Sequence, residues 1–327
     1  MITTQTPYRI SFFGGGSDLK GFYSRHPGSV LSVAINKSMY MTTHPYFEPT
    51  ETHLKYSKTE LVPSVDRIEH PILRAVLGEL TPKGGIEVAS IADIPGGTGL
   101  GSSSAFTVGL IQNLNARLQR FQPPAQLAEE ACRIEIDVLK EPIGKQDQYA
   151  CAFGGLNRFL FHPDGTTTVE RIFVATDTIK RLESSLFLFY LGTSRAASTI
   201  LHEQANNLAD SRIFERQKTM VTQVDSGLQL LRDGDLDGFG QLLHEAWILK
   251  RTLASNISDG VIDRYYQLGL DRGALGGKVL GAGGGGFLLF YCPSSAQNCF
   301  LEAMSELRQV PFRFESNGSR IIHMADE

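Results

Sequence analysis

Residues 95–105, PGGTGLGSSSA, place four glycines within six positions, then three serines, then a helix-like run. A simple turn needs one or two glycines. A loop this rich in them, entering a helix, brings backbone N–H groups close to an anion. The helix N-terminus adds unpaired donors and the positive end of its dipole. Pro95, Gly96, Gly97, Thr98, Gly99, Leu100, Gly101, Ser102, Ser103 and Ser104 are thus the candidate phosphate-binding stretch. The serine hydroxyls are placed to cap the helix or to ligate a metal that bridges phosphates. No lysine precedes them, so this is not the GxxxxGK[ST] loop, nor does it fit the GxGxxG dinucleotide turn. Phosphate chemistry here belongs to a different fold.

Other residues of reactive type stand apart from the loop. Arg9 lies inside the apolar, strand-like TPYRISFF, where a guanidinium is costly to bury without a partner. Asp18 closes the turn FFGGGSD and reads locally as an Asx-turn residue. Glu135 shares a helix with Glu129 and Glu130, and periodicity alone puts it on a solvated face. Asp147, twelve residues further on in GKQDQYA, has the look of a helix N-cap. His44 and His162 have no partner pattern, and GSSSA is not the G-x-S-x-G elbow of a hydrolase.

Taken together, these stretches resemble the GHMP small-molecule kinases, the family of galactokinase, homoserine kinase, mevalonate kinase and phosphomevalonate kinase. PGGTGLGSSSA resembles the family's central motif, P-x-x-x-G-L-G-S-S-[SA]-A. TPYRISFFGGGSD is similar to its N-terminal motif, and KVLGAGGGGF to its third, with Leu280 where many members carry Ser or Thr. The three follow in family order. Within the superfamily, RISFFGGGSD and GKQDQYA are most similar to bacterial D-glycero-D-manno-heptose 7-phosphate kinases. L-fucose and galactose-like sugars remain alternative acceptors, and a sugar- and ATP-binding sensor without catalysis is a further one.

The resemblance implies ATP and Mg²⁺ as cofactors and a sugar phosphate as the small-molecule partner. It implies that Asp147 is the catalytic base, with Arg9 beside it holding it ionised. Glu135 and a loop hydroxyl, Ser103, would hold the metal, which suits a cation that prefers one carboxylate, a hydroxyl, waters and phosphate oxygens. Asp18 would meet sugar hydroxyls, with Gly15 and Gly16 allowing close approach, and Gly283 and Gly284 would form a second backbone surface near the substrate. Arg195, in GTSRAAS, is favoured over Lys20 and Arg25 for the acceptor's own phosphate, since guanidinium grips phosphate through two bonds.

The elements that must position these groups read as an α+β chain. TPYRISFF and residues 28–47 read as strands, 67–80 as a helix with Pro71 in its first turn, and GGIEVASIADIP as a strand into the loop. Helices are expected at about 105–121 and from Pro124, and strands at 169–175 and 185–192. A helical stretch over 195–270, broken near 233–235 and 258–260, leads to the strand 287–292, a helix over 294–308 and a last strand SRIIHM. The boundary falls near 165–180, giving 1–170 as an ATP-binding domain of ribosomal-S5-like type and 171–327 as a domain with a ferredoxin-like core, as the resemblance implies.

Composition sets the outer bounds. The 327 residues are 42% hydrophobic and 20% charged, with a net charge of −4 that offers no general attraction to nucleic acid or to anionic membrane. The 33 glycines cluster at 13–18, 95–103, 152–157 and 275–287. Cys132, Cys151, Cys292 and Cys299 form no CxxC and no zinc spacing, as expected of reduced thiols. No apolar run approaches a membrane span, and MITTQTPYRISFF lacks a secretory pattern, so a cytoplasmic protein is expected. Oligomeric state is not legible.

Overall fold

A computed structural model describes residues 1–81, 83–192 and 197–325. Strand β1 (Ile2–Phe13) alternates in the manner that positions the chemistry. Tyr8, Ile10 and Phe12 are wholly buried in the main core, whereas Arg9 and Ser11 turn to the opposite side and line a cleft.

The first sheet adds β2 (Gly28–Pro45), β3 (Thr52–Lys55), β4 (Thr59–Val62), β5 (Ile86–Ala92), β6 (Leu156–Phe161) and β7 (Thr167–Arg171). The second holds β8 (Leu186–Tyr190), β9 (Gly276–Val279), β10 (Phe287–Tyr291) and β11 (Arg308–Gln309). The last strand, β12 (Arg320–Met324), returns to the first sheet and pairs with β1, Ile2 opposite Met324. The first sheet runs β12-β1-β2-β5-β3-β4, with β6 and β7 branching from the other end of β2. β2 is long enough to serve two partners, pairing β6 through Gly28 to Val33 and β5 through Met39 to Pro45. The second sheet is antiparallel in the order β11-β8-β10-β9, which is the 4-1-3-2 order of a ferredoxin-like unit.

Helices of the first half are α1 (Lys20–Tyr23), α2 (Pro71–Leu80), α3 (Ser102–Arg117), α4 (Pro124–Cys132) and α5 (Gln146–Phe153). Those of the second are α6 (Thr176–Ser185), α7 (Ala197–Asn207), α8 (Ser211–Asp233), α9 (Leu236–Lys250), α10 (Gly260–Asp271) and α11 (Gln297–Ala303). α3 is buried on nearly every side, which is why its sequence shows little amphipathic contrast. The expected helical stretch breaks at both foreseen places. Gly234 takes a left-handed φ of 72° after α8, while Asp235 and Asp259 cap the helices that follow. A further break precedes α8, where Asp210 accepts from the N–H of Arg212. α11 is shorter than the 294–308 expected.

The two halves meet where α8 and α9 pass between the sheets. Phe239 of α9 packs edge-on against Phe12 and Phe13 at ring-centroid distances of 5.2 and 5.1 Å. Lys278 of β9 donates to the carbonyls of Ser11 and Phe12, at 2.9 and 2.7 Å. Phe239→Ala is expected to lower the unfolding free energy by about 3–5 kcal/mol, because Phe239 is fully enclosed and its cavity cannot collapse against two other rings. Urea denaturation of the two proteins measures it.

Candidate active site

The cleft between the halves is walled by the end of β1, the turn after it, the 95–105 loop, the start of α5 and the last residue of α9. Arg9, only 3% exposed, spends its donors inside this wall. Its Nε and Nη2 donate to the two carboxylate oxygens of Asp147, each at 2.8 Å, and its Nη1 donates to the Gly99 carbonyl at 2.7 Å. This bidentate pairing answers the cost of placing a guanidinium in an apolar strand. Asp147 sits in the first turn of α5, so it is not a cap: Lys145 holds that position and makes no side-chain cap bond.

The loop wraps the pair closely. Gly101 has a φ of +78°, and a Cβ there would stand 3.3 Å from Asp147 Oδ2 and 3.4 Å from Arg9 Cγ. Gly99, at φ +84°, would drive a Cβ to 2.4 Å from the Leu280 carbonyl, so this loop and the 280–286 loop touch backbone to backbone. The expected capping by the serines does not occur. Gly101 is the N-cap of α3 with no side-chain bond, and Ser102 Oγ instead accepts from the Gly97 N–H at 3.1 Å. The reason is geometric: the left-handed residue that the sharp entry requires occupies the cap itself.

Glu135 departs most from its local pattern. Residues Arg133–Val138 form a π-helical turn after α4, and the extra residue rotates Glu135 inward until it is 1% exposed. Burial pushes its carboxyl up to about 7, against the hydroxyls of Ser104 and Ser103 and the Gln148 amide, which favour the charged form. Gln148 Nε2 donates to it at 2.7 Å. Asp18 is also buried, and burial followed by the nearby Asp147 charge raises its carboxyl above the ordinary range. It accepts from the Gly16 N–H at 3.0 Å and from the backbone and side-chain N–H of Gln146, both at 3.2 Å.

Arg9, Asp18, Asp147, Ser102, Ser103, Ser104, Gly15, Gly16, Gly97, Gly99 and Gly101 all line one cleft. Glu135 stands behind it, against the serines. Pro95 and Gly96 are exposed, Leu100 is core, and Thr98 bonds back to the Pro95 carbonyl at 3.0 Å. Gly283 and Gly284 turn away from the cleft onto Ile257, whose carbonyl accepts from the Gly284 N–H at 2.9 Å, and Gly281 and Ala282 face the cleft in their place. Lys20 is exposed outside it, Arg25 stacks on Phe214 at 3.9 Å, and Arg195 lies outside the described residues. Sequence reasoning missed Ser11, Gln146, Gln204, Lys250 and Lys278 as cleft residues. Ser11, Gln146 and Lys278 carried a legible signal, their places within TPYRISFF, GKQDQYA and KVLGAGGGGF, whereas Gln204 and Lys250 carried none.

GHMP kinases N terminal domain matches residues 58–155, and GHMP kinases C terminal matches residues 228–307. A mevalonate kinase of Archaeoglobus fulgidus is 30% identical over 68% of this chain and 72% of its own length. The chain belongs to the GHMP kinase family. As a GHMP kinase it is a phosphotransferase. A D-glycero-alpha-D-manno-heptose 7-phosphate kinase of Campylobacter jejuni is 26% identical over 93% of each chain. The fold is also that of a D-glycero-D-manno-heptose 1-phosphate kinase from Bacteriodes thetaiotaomicron, with a TM-score of 0.81, 21% identity and full coverage of both chains. Among the described residues, no helix of this GHMP kinase is long and apolar enough to cross a membrane.

The loop geometry is testable on its own. Gly101→Ala should lower folding stability by about 1–2 kcal/mol, the cost of an L side chain in the left-handed region. Gly96→Ala, with nothing within 4 Å of the added methyl, should leave it unchanged. Parallel urea melts separate the two.

Proposed function

We propose that this GHMP kinase transfers the terminal phosphoryl group of ATP to the anomeric hydroxyl of a sugar phosphate. The acceptor is D-glycero-D-manno-heptose 7-phosphate and the product its 1,7-bisphosphate, a step toward nucleotide-activated heptose. One observation carries the reading: a carboxylate, Asp147, fixed by Arg9 directly beneath a glycine loop and facing the same cleft as Asp18. The Campylobacter jejuni relative supports the choice of sugar.

In this reading Asp147 accepts the proton of the attacking hydroxyl as the oxygen–phosphorus bond forms and the bond to the leaving ADP breaks. Arg9 keeps Asp147 aimed and offsets charge developing on the transferring group. Asp18 accepts from sugar hydroxyls. Ser11 Oγ and Gln146 Oε1, buried on the cleft wall with no partner among the described residues, suit a hydroxylated ligand. The 95–105 backbone and the start of α3 receive the nucleotide's phosphates.

The residues present fit Mg²⁺. Glu135 is a buried carboxylate with no cationic partner among the described residues, and Ser103 and Ser104 stand against it. A single carboxylate beside hydroxyls suits a cation that keeps waters and phosphate oxygens among its ligands. Glu135 and Ser103 would hold it, and when bound it offsets charge on the donor's phosphate oxygens. A sensor that only binds would need no base. An ATP-dependent enzyme of this kind works in the cytoplasm.

The reading is tested by ADP release with heptose 7-phosphate, unphosphorylated heptose, L-fucose and galactose as acceptors. Efficiency on heptose 7-phosphate should exceed that on unphosphorylated heptose by about a hundredfold or more, the worth of two charge-assisted hydrogen bonds. Equal efficiency would move the assignment to a neutral sugar. Arg195→Ala is expected to reproduce much of that difference.

Asp147→Asn should lower kcat roughly 10²–10⁴-fold while ATP binding, read by calorimetry, stays near that of the unmodified enzyme. A variant with full kcat would remove Asp147 from the role of base.

A further inference from the structure

Lys250, the last residue of α9, is 6% exposed and lines the cleft, yet belongs to none of the three glycine-rich stretches. Its Nζ donates to the Gly281 carbonyl and, at 3.5 Å, to that of Val279. An ammonium has three donors, so one is left toward the cleft. Among the described residues no carboxylate pairs with it, although a buried charge without a counter-ion is expensive. Arg9, by contrast, has its charge paired by the Asp147 carboxylate and gives three of its five N–H donors to Asp147 and Gly99.

The location of Lys250 says what its counter-ion is. The carbonyl it holds, that of Gly281, belongs to the loop that touches Gly99 of the 95–105 stretch: a Cβ at Gly281 would stand 2.5 Å from Gly99 Cα. Lys250 therefore reaches the junction of the two glycine-rich loops from the second half, in the same cleft that Arg9 and Asp147 line. We infer that Lys250 places its free N–H on an oxygen of the phosphoryl group in transit, while its other donors hold the 280–286 loop against the phosphate loop. The inference rests on the kinase reading above and adds to it a catalytic cation contributed by the C-terminal half.

Charges facing Lys250 come from three sides: Arg9 of β1, Asp18 of the following turn and Lys278 of β9. Burial, then the positive charge of Arg9, lowers the Lys250 ammonium to about 8, with Asp18 opposing. An anion arriving beside it raises that value again. The free enzyme should then take up a fraction of a proton when ATP binds near pH 8, and kcat/KM should fall as pH rises through this region.

The experiment uses Lys250→Met and Lys250→Arg in the full chain, with kcat, kcat/KM against pH, and ATP calorimetry in two buffers of different ionisation enthalpy. Lys250→Met should lose about a hundredfold or more in kcat, the loss typical of a transition-state donor. It should bind ATP without the proton uptake seen in the unmodified enzyme and should lack the alkaline limb. Lys250→Arg, which keeps the charge, should retain more activity than Lys250→Met and move the limb to higher pH. Equal kcat, proton uptake and pH limb in Lys250→Met and the unmodified enzyme would overturn the inference and leave Lys250 a loop anchor. If the unmodified enzyme phosphorylates no sugar, the kinase reading fails instead, and the calorimetric comparison still decides whether Lys250 meets the nucleotide's phosphates.

Discussion

A guanidinium in the middle of a buried strand is the constraint around which this molecule is arranged. Arg9 cannot remain in β1 without acceptors, and its three acceptor groups come from distant parts of the chain: the two Asp147 oxygens on α5 and the Gly99 carbonyl of the loop. Satisfying one side chain thereby brings strand, helix and loop to within hydrogen-bond distance of a single point. The loop can approach only where it lacks side chains, which explains why glycine recurs at 99 and 101. The carboxylate is held in two directions at once, so it has one orientation to offer a ligand.

Charge in the cleft is balanced across the two halves rather than within either. The first half brings Asp18, Asp147 and Glu135 together with Arg9, and the second brings Lys250 and Lys278. Burial drives Asp18 and Glu135 toward neutrality and both lysines toward the free amine. A cation beside Glu135, or an anion beside the lysines, would reverse the displacement of those groups.

Much of this was legible in the residues themselves. The glycine clusters and the arginine in an apolar strand pointed to the cleft, and Asp-Gly punctuation marked the breaks on either side of α9. Glu135 was not legible from periodicity, because a π turn changes the angle between successive residues and no residue type announces it. Lys250 was hidden for another reason: at the end of a helix a lysine reads as a solvated charge, and only tertiary packing encloses it. Gly283 and Gly284 were read with their neighbours as one surface, whereas the loop divides there, Gly281 and Ala282 facing the cleft and the next two residues facing Ile257. Spacing places a motif; it does not say which of its residues turn outward.

The return of β12 to the first sheet has a mechanical meaning. The second sheet and its helices are joined to the first half by two stretches of chain, one through α6 and one through residues 310–319. The latter is pinned to β2 by Asn36 N–H to the Arg313 carbonyl and Glu315 N–H to the Ala34 carbonyl, both at 2.9 Å. A single tether acts as a ball joint, free to swing and twist. Two tethers, with Phe239 packed on Phe12 and Phe13 and Lys278 bonded to the Ser11 and Phe12 carbonyls between them, deny that freedom, so the two glycine loops are held in one register.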